Sequence, residues 1–267
     1  MEAIEADQVA ARITDPEIRV ETHFDHDVTW AVAPTADTFR NVVLSARFTP
    51  EDADRRIAHI VAAYVGAGTG CIWWVGPSDT PPDLRSRLAA AGLTLEGTAP
   101  AMAADLADIP LDEAAPDGLE IVPVTDAATL DEFLLIIEAD WVDWTGGEPT
   151  AVQQRTLAAW RTQIPPKLAH EPVPLRWIGR ADGKVVATSR IAIGAGVAGL
   201  YAISTLSAYR GRGFGRAMTI AALRAARSIG YRIAVLQASD LGYGVYRRLG
   251  FRELFQYDVY IHPGPGA

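Results

Sequence analysis

Between Thr205 and Ala217 the chain reads Thr205-Leu-Ser-Ala-Tyr-Arg210-Gly-Arg-Gly213-Phe-Gly215-Arg-Ala217, with glycines at every second position from 211 to 215. The apolar run before it, Gly199-Leu-Tyr-Ala-Ile-Ser-Thr-Leu206, predicts a strand. The segment after it predicts a long helix whose inner face carries Phe214, Ala217, Met218, Ala221, Ala225 and Ile229, with Arg216, Arg224 and Arg227 outside. Glycines let a backbone adopt positive φ and come close to a ligand. Unpaired N–H groups and the dipole at a helix start attract anions. Arg210, Arg212 and Arg216 add positive charge at this point, in a chain with 24 Lys and Arg against 33 Asp and Glu. The local reversal of sign points to a bound phosphate.

Two common phosphate loops do not fit. A triphosphate loop needs Lys-Ser or Lys-Thr after its last glycine, and Arg216-Ala217 stands there. A dinucleotide fingerprint needs an acid about 20 residues on, and 231–237 holds none. A nicotinamide-dependent oxidoreductase is thereby disfavoured.

Outward from the loop, Leu119-Glu-Ile-Val-Pro-Val predicts a strand, 127–139 and 152–163 predict helices, and Leu175–Arg180 and Lys184–Ile193 a hairpin turning at Asp182-Gly183. After the long helix come strand Ile233–Gln237, short helix Gly242–Leu249 and a strand pair within Phe251–Ile261. The first half has the same grammar: strand Asn41–Phe48, helix Pro50–Gly66, strand Cys71–Val75, helix Pro82–Ala91 and a strand pair within Leu93–Leu106. Phe48 falls on Leu206 and Gly92 on Gly250 at one displacement of 158 residues, which predicts a duplicated α/β unit. The acidic stretch 111–118, with Pro116 and Gly118, is expected to link a domain over 1–110 to one over 119–267.

The 267 residues suffice for two small domains, and 49% hydrophobic with 21% charged residues excludes a mainly disordered chain. A formal charge of −9 argues against general binding to nucleic acid or anionic membrane. The single Cys71 fits a reducing compartment. Neither a secretory leader nor a run of about 20 apolar residues is evident, which predicts a cytoplasmic location. The five histidines lack metal-ligand spacing, so no metal is expected, and His23-Phe-Asp-His26 reads as a polar turn.

The spacing Arg210-x-x-Gly213-x-Gly215 resembles the coenzyme A loop of the GNAT superfamily of N-acetyltransferases, Gln/Arg-x-x-Gly-x-Gly/Ala. The likeness extends over about 119–262, through Leu200-Tyr-Ala-Ile-Ser-Thr205 before the loop to Ile233–Gln237 and Tyr246-Arg-Arg-Leu-Gly250-Phe251 after it. The first half is similar to a degenerate copy, as in tandem acetyltransferases. The resemblance implies an α/β (α+β) fold of two GNAT-like units, each a mixed, mostly antiparallel sheet flanked by helices.

It further implies acetyl-CoA as acyl donor and a primary amine as acceptor, in a monomer or homodimer. Small amines, amino acids, antibiotics and peptide N-termini all stay open as acceptors, and the acidic net charge tilts the expectation toward a cationic small molecule. The residues implied to meet the cofactor are Ile203, Ser204, Thr205, Leu206, Arg210, Gly211, Arg212, Gly213, Phe214, Gly215, Arg216, Ser239 and Tyr246. Tyr246 is implied as general acid to the departing thiolate, because free tyrosine titrates at about 10 and free thiols at about 8.5. Backbone N–H groups from Ile203 to Leu206 are expected to polarise the thioester carbonyl. Ser239 stands where the family often has asparagine. Glu51, Asp52 and Asp54 fall near the place of the glycine loop in the first half, so only the second half is expected to bind acyl-CoA.

Candidates for the general base are Glu138, Asp140, Asp143 and Glu148. Trp141 and Trp144 are expected either to wall the acceptor site, with Gly146-Gly147 as a lid, or to seal the two halves together; Trp73 and Trp74 are expected in the core. An acyl-CoA-binding module without turnover is the alternative function.

Overall fold

The computed structural model describes residues 3–7, 21–33, 41–149 and 151–265, with the side chains of residues 144, 145, 151 and 152 outside the description. In chain order the strands and helices are β1 (Glu21–Phe24), β2 (Thr29–Val32), β3 (Val42–Leu44), α1 (Ala53–Gly66), β4 (Cys71–Val75), α2 (Leu84–Ala90) and β5 (Thr94–Asp105). There follow β6 (Glu120–Pro123), α3 (Ala127–Thr145), α4 (Ala151–Gln163), α5 (Pro165–Leu168), β7 (Arg176–Ala181), β8 (Lys184–Gly194) and β9 (Val197–Thr205). A 3₁₀ turn (Ser207–Tyr209), α6 (Phe214–Ser228), β10 (Ile233–Gln237), α7 (Asp240–Leu249) and β11 (Arg252–His262) complete the chain.

Contacts divide the chain into two units, one of Met1–Ala101 with Glu253–Ala267, the other of Met102–Arg252. Each holds a mixed set of parallel and antiparallel strands. In the first, β1, β2 and β3 are successively antiparallel, β3 runs parallel to β4, and β4 is antiparallel to β11. In the second, β6, β7, β8 and β9 are successively antiparallel and β9 runs parallel to β10. A helix connects the parallel pair in both, α1 in one and α6 in the other, so the duplication visible in the sequence is present as topology.

The first unit packs around β4, all of whose residues Cys-Ile-Trp-Trp-Val are buried, as a strand covered on both faces requires. Helix α1 lays Ala53, Ile57, Ile60 and Tyr64 on the sheet at helical spacing, and the Tyr64 hydroxyl donates to the Ala31 carbonyl at 2.8 Å. Trp73 and Trp74 are core residues, as expected. In the second unit α6 buries Phe214, Met218, Ala222, Leu223 and Ala226 against the sheet. Ala221, Ala225 and Ile229 are only half-buried, so the inner face is rotated from the one read in the sequence.

Three expectations are corrected. Strand β3 stops at Leu44 rather than Phe48, because Ser45 takes a φ of 56° and breaks the extended run. The closing strand pairs are single long strands: no residue of β5 or β11 has the positive φ of a tight hairpin turn. The segment 111–118 is not a free linker. Leu111 is 1% exposed in the core of the second unit, and Arg224 on α6 donates to its carbonyl. The division of the chain therefore falls at 101/102, before that segment, and the last residues join the first unit.

Candidate active site

The parallel register of β9 and β10 pairs Ala198 with Ala234 and Gly199 with Val235. Beyond it β9 continues to Thr205 and β10 to Gln237 without a paired residue between them, which opens a gap at their C-terminal ends. Ala202, at a φ of 49°, marks an irregularity in β9, and the β8–β9 register shifts alongside it between Thr188 and Arg190. Past this point Ile203 packs into the main core of the second unit, whereas the Ser204 hydroxyl turns toward α3 and donates to Asp140 Oδ1 at 2.7 Å.

The four backbone amides named for the thioester are not equivalent. The Leu206 N–H donates to the Val186 carbonyl at 2.9 Å and is spoken for. Alternation along a strand turns the N–H groups of Ile203 and Thr205 to the opposite edge, where β10 has ceased to pair. The Thr205 carbonyl, on that same edge, accepts from Arg210 Nε at 2.9 Å.

The glycine loop forms as its sequence demands. Gly211 and Gly213 have φ of 77° and 81°, and Gly213 is the N-cap of α6. A Cβ at Gly213 would also meet Pro116 Cγ at 3.3 Å. The amides of Phe214, Gly215 and Arg216 have no acceptor among the described residues, as the first turn of a helix requires, and they face outward with the helix dipole behind them.

The three arginines differ. Arg210 pairs with Asp143 of α3 at 3.1 Å, and Arg216 makes a two-pronged bridge with Glu113 at 2.7 to 3.1 Å. Arg212 lies over the rings of Phe214 and Tyr209, 4.7 and 5.4 Å from their centroids.

Tyr246 on α7 is 8% exposed, with its ring against Phe251 at 5.9 Å and against Gly242, where a Cβ would come within 2.7 Å of it. Its hydroxyl makes no hydrogen bond among the described residues, and burial pushes its pKa up to about 12. Ser239 is the N-cap of the same helix, its Oγ accepting from the Gly242 N–H at 3.3 Å.

Of the four carboxylates named as bases, Asp140 and Asp143 reach this region through Ser204 and Arg210. Glu138 is half-buried elsewhere on α3, and Glu148 is exposed beyond its end. Trp141 packs against Trp160 at 6.0 Å beside the α3 face of the second unit, so it belongs to that unit's own packing. The side chain of Trp144 lies outside the described residues. His23 stacks on Trp30 at 3.9 Å from β1, rather than sitting in a turn.

No group of three His, Cys, Asp or Glu among the described residues is arranged to hold a metal ion, and no described helix is long and apolar enough to cross a membrane.

The pattern of unpaired strand ends, glycine loop and short tyrosine helix coincides with a family match: residues 133–251 match the model of the acetyltransferase (GNAT) family. Members of that family take an acetyl group from acetyl-CoA. Over nearly its whole length the chain has the fold of the GCN5-related N-acetyltransferase from Kribbella flavida, with a TM-score of 0.70, 20% identity and coverage of 98% of this chain and 96% of that one. It is also similar to a GCN5-related N-acetyltransferase from Sphaerobacter thermophilus (TM-score 0.58, 16% identity, 92% and 83% covered). A tandem GNAT protein from the clavulanic acid biosynthesis pathway has the same fold (TM-score 0.54, 17% identity, 90% and 79% covered). No curated protein matches the chain significantly.

Proposed function

We propose that the second unit transfers an acetyl group from acetyl-CoA to the primary amine of a small molecule, by direct attack on the thioester. The observation that carries this reading is the loss of pairing between β9 and β10 at their C-terminal ends, followed in the chain by the open N-terminus of α6 and by the short helix α7 that bears Tyr246. The amides of Phe214, Gly215 and Arg216 receive the pyrophosphate, helped by Arg212. The pantetheine arm lies in the gap, and the outward N–H of Ile203 or Thr205 polarises the thioester carbonyl. The neutral amine attacks the carbonyl carbon, its extra proton leaves to a carboxylate or water, and the C–S bond breaks as Tyr246 protonates the thiolate. Only the second unit binds the donor: at the start of α1 stand Asp52 as N-cap and Asp54 in the first turn, charges that repel phosphate.

Calorimetry with acetyl-CoA, for wild type beside Gly213→Glu, tests the donor site. One site per chain, lost in the variant, is expected. Thiol release over a panel of small primary amines then tests transfer. Binding without release for any amine would replace the enzyme by a non-catalytic acyl-CoA-binding module, and no binding would remove both readings.

A further inference from the structure

The segment 111–118 runs along α6 from Arg224 in its third turn to the N-cap Gly213. Arg224 donates to the carbonyls of Leu111 and Glu113, the latter at 2.7 Å, and Pro116 stands beside Gly213. So held, Glu113 meets Arg216 edge on: Nε reaches its two carboxylate oxygens at 2.9 and 3.1 Å, and Nη2 reaches Oε2 at 2.7 Å. This is the fork by which a guanidinium grips a phosphate, here filled by a carboxylate of the same chain. Arg216 holds the Glu113 carboxyl below its usual range, so the pair is charged at neutral pH.

We propose that Glu113 is an internal competitor for the donor's phosphates, setting the affinity for acyl-CoA through its hold on Arg216. The inference rests on reading the loop as the acyl-CoA phosphate site. Arriving phosphate meets Arg216 neutralised and must either share the guanidinium or displace Glu113. Arg212 has no carboxylate partner among the described residues and remains the basic side chain open to the ligand. Glu113 is thus a residue acting through Arg216, not one that touches the donor.

Asp112 supplies the control. It lies next to Glu113, carries the same charge, and is fully exposed at 3.8 Å from Arg227 rather than joined to Arg216. Acetyl-CoA is titrated into wild type, Glu113→Gln, Asp112→Asn, Arg216→Ala and the Arg216→Ala/Glu113→Gln double variant, at low and at high salt. Glu113→Gln is expected to bind about two- to five-fold more tightly at low salt, the scale of one exposed ion pair, and the gain shrinks at high salt. Asp112→Asn is expected to match wild type, and Glu113→Gln to gain nothing once Arg216 is gone.

Unchanged or weaker binding by Glu113→Gln would overturn the proposal, as would an equal gain from Asp112→Asn or a gain that survives Arg216→Ala. Wild type that fails to bind acetyl-CoA at all would instead remove the donor site, and the competitor with it.

Discussion

The Ser204 hydroxyl donates to Asp140 Oδ1 over 2.7 Å, joining the open end of β9 to helix α3. Ser204 is 8% exposed, so the contact is fixed from the interior while the carboxylate stays at the surface of α3. Of the carboxylates near the gap, Asp143 is already given to Arg210. Asp140 is therefore the group expected to take the ammonium proton of the acceptor. Asp140→Asn should lower kcat/KM by about 100-fold and leave acetyl-CoA affinity unchanged. Ser204→Ala should cost less, because it loosens the carboxylate without removing it. Wild-type kcat/KM in Asp140→Asn, with the best amine of the panel, would assign the proton elsewhere.

Tyr246 gives a second expectation. Its hydroxyl is unbonded, so Tyr246→Phe should fold with near wild-type stability yet lose about 100-fold in kcat, with acetyl-CoA still bound. Its pKa, pushed up to about 12 by burial, keeps the acid protonated throughout the neutral range. The sign for stability follows: the folded value lies above the unfolded value of about 10, so this contribution is complete below pH 10 and is lost as pH rises toward 12. A thermal-melt series in which Tyr246→Phe declined as steeply as wild type over that window would contradict it.

Asp79 in the first unit is a carboxyl raised in the same sense. Burial pushes it up to about 7, against the Gly76 N–H that donates to it at 2.6 Å, and neighbouring Glu5 adds to the rise. Stability from this group is complete below the unfolded value of about 3.9 and disappears as pH climbs through about 7. Asp79→Asn keeps an oxygen for Gly76 and removes the titration. Its melting temperature should gain on wild type between about pH 4 and 7, on the scale of such carboxyl linkage. A constant offset between the two proteins over that range would refute the assignment.

Arg176 is 1% exposed and meets Glu171 Oε1 at 2.6 Å. Glu171 also accepts from the Leu175 N–H at 3.1 Å, so one carboxylate serves the guanidinium and the strand start together. Glu171→Ala should destabilise the second unit by about 3–5 kcal/mol, because it removes the carboxylate from a buried ion pair. Chemical denaturation measures this directly, and a loss under about 1 kcal/mol would mean that the pair with Glu171 contributes little to holding this unit together.

The loop was legible because Gly211 and Gly213 both need positive φ, and that requirement is written in residue type. Helix α3 carries its own signature in Asp126, whose carboxylate accepts from the Thr129 N–H at the N-cap. The ends of the units were not legible. Residues 94–105 and 252–262 have strand composition, and nothing local tells one long strand from two short ones or says which sheet receives it. Nor could composition show that Leu111 is buried or that Glu113 reaches Arg216, since both depend on where an acidic, proline-bearing segment docks. The inequality of the four β9 amides was hidden for the same reason. It follows from which neighbour each edge of the strand meets.

Strand β11 has a consequence for how the chain is made. Its residues from Glu253 on belong to the first unit, where Tyr260 pairs with Trp73 and Ile261 with Ile72 on β4. A ribosome delivers β1 to β4 early, but the partner that closes this side of β4 is translated only after the whole second unit. Until then an apolar strand, Cys71–Val75, waits with an open edge. Nascent chains that end before residue 252 therefore present a sticky intermediate, and the half that is synthesised first is the half that finishes folding last.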